Sequence, residues 1–71
     1  METDKWGRRI RAFRKLKGFT QEGLANDIGV SVSVFGEIER GTRLPSDHML
    51  EKISDCLGVS IAELTPEDER E

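Results

Sequence analysis

His48 and Cys56 are the only histidine and cysteine among the 71 residues, and neither has the company that catalysis or metal binding requires. A side-chain nucleophile needs an adjacent base, and a structural zinc needs about four Cys or His ligands. One residue of each kind supplies neither, so no enzyme activity, metal or cofactor is expected. Cys56 stands before Leu57 on an apolar helical face and reads as a small core residue. His48, near a helix start, reads as a surface residue. The chemistry that remains is charge and hydrogen bonding. Lys5, Arg8, Arg9, Arg11, Arg14, Lys15 and Lys17 crowd the first part of the chain, and Glu63, Glu67, Asp68, Glu69 and Glu71 crowd the last, for a net charge of −3. A field is local over roughly a Debye length, about 8–10 Å, so a basic face can attract phosphates although the whole molecule is mildly acidic.

The elements that must position these charges are organised around Thr20 to Gly41. Thr20 and Ser31 can accept hydrogen bonds from the free N–H groups at a helix start, and Gly29 and Gly41 fall where each helix must stop. Leu24, Ala25 and Ile28 make one apolar face, and Val34, Phe35 and Ile38 make another. Two amphipathic helices joined by a Gly-containing turn form the helix-turn-helix pattern, whose second helix enters the DNA major groove. That helix is predicted from Val32 to about Arg40. With Phe35 and Ile38 turned inward, Val32, Ser33, Gly36 and Glu37 are expected to face outward, with Arg40 near the end. Gln21, in the first turn of the preceding helix, can offer its backbone N–H and amide to a phosphate.

Around this pair the pattern predicts three more helices. Thr3 or Asp4 caps a first helix bearing Trp6, Ile10 and Phe13 at helical spacing and ending near Lys17, at Gly18. After the breaker Pro45, Ser46 caps a fourth whose buried stripe is Leu50, Ile53 and Leu57, ended by Gly58. Ser60-Ile61-Ala62-Glu63 is a capping box that opens a short fifth helix through Leu64. Residues 5–65 then make one small domain, and residues 66–71 an acidic tail with no apolar face, expected to fray. Gly23 stands out, because glycine in an exposed helix interior costs about 1 kcal/mol relative to alanine.

Thr-Gln-Glu-x-Leu-Ala from Thr20, Gly29-Val30-Ser31, Ile38-Glu39-Arg40-Gly41 and Pro45, in that order and spacing, resemble the phage-repressor and Cro-like (XRE-type) helix-turn-helix family. Ile10-Arg11-Ala12-Phe13-Arg14 before them, and Leu50-Glu51-Lys52-Ile53 with Cys56-Leu57-Gly58-Val59-Ser60 after them, extend the likeness from about Trp6 to Leu64. The resemblance implies an all-α, compact five-helix lambda-repressor-like domain that binds double-stranded DNA as a homodimer. It implies a DNA-contacting set of Gln21, Ser31, Val32, Ser33, Gly36, Glu37, Arg40, Thr42 and Arg43, in which Thr42 and Arg43 supply further phosphate contacts. It also implies that Arg14 pairs with Glu39 and is structural. A longer polar residue is usual in the family at the place of Gly23.

The outward set departs from the family, where Gln, Arg, Asn or Lys are common at these places. Val32 can touch a thymine methyl, Ser33 can bond a base or a phosphate, and Glu37 can accept from cytosine N4. Gly36 permits close approach to the sugar-phosphate backbone. The expected function is a sequence-specific transcriptional regulator acting in the cytoplasm, with no membrane span, no secretory signal and no ligand-binding domain. Its control would then come through its amount, its oligomeric state or a regulatory protein partner. The acidic Glu37 also suits a second reading, a protein-interaction module such as an antirepressor or adaptor on the same fold.

Overall fold

The computed structural model describes residues 2–67, and side chains from residue 5 onward. It consists of α1 (Glu2–Leu16), α2 (Gln21–Ile28), α3 (Val32–Arg40), α4 (Asp47–Leu57) and α5 (Ile61–Leu64). Helix α1 starts earlier than its capping residues suggest, since Thr3 and Asp4 stand inside its backbone. Their side chains, and the tail charges Asp68, Glu69 and Glu71, lie outside the described residues.

A hydroxyl begins each of the other four helices. Thr20 accepts from the Gly23 N–H at 2.9 Å, Ser31 from Val34 at 3.1 Å, Ser46 from Met49 at 3.1 Å and Ser60 from Glu63 at 3.1 Å. The Glu63 carboxylate answers by accepting from the Ser60 N–H at 2.8 Å, which completes the capping box. Gly29 and Gly41 close α2 and α3 at φ of 77° and 86°, a left-handed conformation that a Cβ would strain. Beyond Gly41, the Thr42 N–H bonds back to the Glu37 carbonyl at 2.9 Å. The helix end and the following loop are therefore one hydrogen-bonded unit.

The core is contiguous and draws on all five helices: Ile10, Leu24, Ala25, Ile28, Phe35, Ile38, Leu50, Ile53, Leu57 and Leu64. Trp6, Phe13, Phe19 and Cys56 pack half-buried at its margin. Helix α1 packs on α3, α2 on both α3 and α4, and α5 joins α4 back to α1. The last joint carries a polar fastening as well. Arg9 donates from Nε and Nη2 to the Glu63 carbonyl, at 2.9 and 2.6 Å. Among the described residues, no helix is long and apolar enough to cross a membrane.

The crossing of α1 over α3 is close because Gly7 has no side chain. A Cβ there would stand 2.4 Å from the Ile38 carbonyl oxygen and 2.5 Å from that of Glu39, which are backbone atoms that cannot swing aside. Gly7→Ala is therefore expected to push α1 off the end of α3 and to destabilise the domain by about 1–3 kcal/mol. A urea midpoint equal to the wild type would show that the crossing has slack.

Candidate nucleic-acid interface

Three helices meet at one buried carboxylate. Arg14, in the last turn of α1, donates from Nε to Glu39 Oε2 at 2.6 Å and from Nη2 to Oε1 at 3.2 Å. Its Nη1 donates to the Phe19 carbonyl at 2.8 Å, just before α2. Gln21, the first residue of α2, donates from Nε2 to Glu39 Oε1 at 3.0 Å. Arg14 and Glu39 are each 8% exposed, so both charges have left water. Desolvation offsets much of what such a pair gains, and its chief effect is to admit one arrangement of the helices. Among the described residues, no buried side-chain nitrogen or oxygen lacks a partner.

This clamp holds α3 with Phe35 and Ile38 inward and Val32, Ser33 and Arg40 exposed. Ser31 is exposed too, with its oxygen occupied by the cap and its own O–H available. Three of the expected contacts are differently placed. Gly36 is buried, not outward, because the Arg40 side chain turns back one turn along α3 and covers it. A Cβ on Gly36 would lie 2.9 Å from Arg40 Nη1 and 3.7 Å from Gln21 Nε2. The gap left by the glycine is filled by a guanidinium from four residues further on, in keeping with the N-terminal lean of helical side chains. The Gln21 amide is half-buried and engaged by Glu39, which leaves its first-turn backbone N–H as the group with no intrahelical partner. The Thr42 hydroxyl donates to the Glu37 carbonyl at 3.2 Å, so its hydrogen is spent on the helix end.

Glu37 is half-buried and its Oε1 accepts from Arg43 Nε at 2.7 Å. Neither partner therefore presents a bare charge. The basic run of α1 also divides into different roles. Arg14 is in the clamp, Arg9 is tied to α5, and Arg8 and Lys15 lie on the side of α1 turned away from the face that carries Gly7, Ile10 and Arg14 toward α3. Arg11 stands at the edge between these faces. The basic residues of α1 therefore do not act as one set: Arg14 and Arg9 are engaged within the fold, and Arg8 and Lys15 stand on the exposed side of the helix.

A family model described as Helix-turn-helix matches residues 10–64, a span that runs from the first core residue of α1 to the end of α5. The chain belongs to the helix-turn-helix family. Within it, the chain is 61% identical over 66 residues to the uncharacterized HTH-type transcriptional regulator YazB of Bacillus subtilis, covering 93% of this chain and 96% of that one. It is 42% identical over 62 residues to the transcriptional regulator SinR of the same organism, covering 86% of this chain but 56% of SinR. The fold matches a crystal structure of SinR in complex with DNA, with a TM-score of 0.78 at 42% identity over 83% of this chain and 95% of that one. It also matches the restriction-modification controller protein C.AhdI of Aeromonas hydrophila, with a TM-score of 0.83 at 37% identity over 87% of this chain and 94% of that one. As a helix-turn-helix protein of the XRE type, it is a DNA-binding transcription regulator.

The clamp gives the site its first test. Glu39→Gln keeps the shape but removes the charge facing Arg14, and breaking one side of a buried pair costs about 3–5 kcal/mol. The variant is expected to melt well below the wild type while any DNA sequence preference of its folded fraction stays the same. An unchanged melting temperature would rule out the clamp as the fastening of α1 to α3.

Proposed function

We propose that the domain formed by residues 5–65 reads duplex DNA with α3 in the major groove, as a homodimer on two-fold related half-sites. The observation that carries this is the two-sided character of α3. Its inner face is fixed by Phe35, Ile38 and the Glu39 clamp, and its outer face presents Val32, Ser33 and Arg40. Nine residues of helix span roughly 14 Å, long enough to lie in a groove about 12 Å wide.

Base contact then falls to Val32 and Ser33, with Arg40 as the long donor. The bidentate geometry of arginine suits guanine O6 and N7. Ser31, the Gln21 backbone N–H and Arg43 meet phosphates on either side. The likeness to a SinR structure bound to DNA supports this docking. The reading assigns the chain no catalysis, and it puts control in the amount of protein, its association state or a protein partner.

Selection from a random duplex pool tests the reading. A two-fold symmetric motif is expected, with half-site centres about 34–36 Å apart. A non-symmetric motif would remove the dimer, and absence of any enriched motif would remove sequence-specific binding. On the selected duplex, log affinity should fall linearly with log salt, and Arg43→Ala should lower affinity on every duplex and flatten the slope by about 0.9.

A further inference from the structure

We propose that Glu37 is a positioning residue: its carboxylate grips Arg43 by the Nε edge and aims the opposite edge of the guanidinium at a DNA phosphate. The proposal rests on the DNA-binding reading above and gives Glu37, the partly exposed acid of α3, a task other than base reading.

The three arginines with hydrogen bonds to described residues differ in how many donors they have left. Arg14 engages Nε, Nη1 and Nη2, and Arg9 engages Nε and Nη2. Arg43 engages Nε alone, which leaves all the N–H groups of Nη1 and Nη2 without a partner among the described residues. An arginine carries N–H donors on two edges, so a carboxylate on one does not block an anion on the other. The Arg43 and Glu37 side chains are 52% and 37% exposed, so the free edge has access to solvent and to a docked ligand.

Glu37 also holds the loop a second way. Its backbone carbonyl accepts from the Thr42 N–H at 2.9 Å and from the Thr42 hydroxyl at 3.2 Å. One residue of α3 thus fixes both the backbone preceding Arg43 and the Arg43 side chain. A free arginine must give up several rotatable bonds to reach a phosphate, and holding it in place beforehand lowers that cost. The cation 2.7 Å from the carboxylate also offsets the repulsion that a lone acid would exert on the DNA backbone.

The sign of the effect provides the test. Affinity is measured by fluorescence anisotropy on the selected duplex and on an unrelated duplex of equal length. The proteins are the full chain, Glu37→Ala, Glu37→Gln, Arg43→Ala and the Glu37→Ala/Arg43→Ala double variant, each confirmed as folded by its thermal transition. Glu37→Ala is expected to weaken binding by about two- to tenfold on both duplexes, although it removes a negative charge from a surface that faces DNA. Glu37→Gln retains an acceptor for Nε and should lose less. In the Arg43→Ala background, Glu37→Ala should no longer weaken binding at all.

Tighter binding by Glu37→Ala with Arg43 intact would make the carboxylate a brake and overturn the proposal. Loss of preference at a single base pair would make it a reader, and unchanged affinity a bystander; either result overturns it too. A wild-type protein that binds no duplex in low salt would instead remove the DNA-binding reading, and the positioning role with it.

Discussion

The ion pair between Arg14 and Glu39 is the constraint on which the remaining geometry depends. Apolar residues such as Ile10 of α1 and Ile38 of α3 favour burial without fixing direction, and helices in contact through such residues alone could slide or rotate. Charge-assisted hydrogen bonds have defined angles and short reach. Because Arg14 also bonds the Phe19 carbonyl and Glu39 also receives Gln21, one buried site sets the end of α1, the start of α2 and the end of α3 together. Gly7 complements it, since the polar contacts can close only where the two backbones come near. The clamp therefore acts less as a source of net stability than as a choice among packings that the apolar core alone would leave similar in energy.

What could be read in the sequence is what local chemistry decides. A hydroxyl three residues ahead of its N–H partner, or a glycine at a left-handed turn, needs no knowledge of the rest of the chain, and both ends of α2, α3 and α4 and the start of α5 follow from such residues. The partnership of Arg14 with Glu39, 25 positions apart, came from family likeness and not from pattern. Gly36 escaped for a specific reason. Helical periodicity assigns each residue a direction from its own Cβ, and Gly36 has none, so the neighbour that covers it decides its exposure. The partners of the Arg9, Gln21 and Thr42 side chains were hidden for another: a polar side chain can satisfy a backbone carbonyl or a carboxylate within the fold, and only the tertiary arrangement chooses.

Charge follows the same logic at larger scale. The excess of acid over base does not describe the surface around α3, where Glu37 is matched by Arg43 and Glu39 is buried against Arg14. The acids of α3 are thus compensated inside the fold, and Arg40 is left exposed on the same helix. The charge that the α3 surface presents is set here by how charges are paired and not by their sum.

The burial of Leu64 bears on how the chain folds during synthesis. Its side chain is completely enclosed, yet it enters the core from the far end of the described chain and from a helix of four residues too short to persist alone. A nascent chain that has released only α1 to α3 holds both residues of the Arg14–Glu39 clamp but lacks Leu50, Ile53, Leu57 and Leu64, which complete the core. The core is complete only when residue 64 has cleared the ribosome. The native core of this domain is therefore acquired only after α5 has emerged, and the exposed apolar faces of the earlier helices must remain soluble until then.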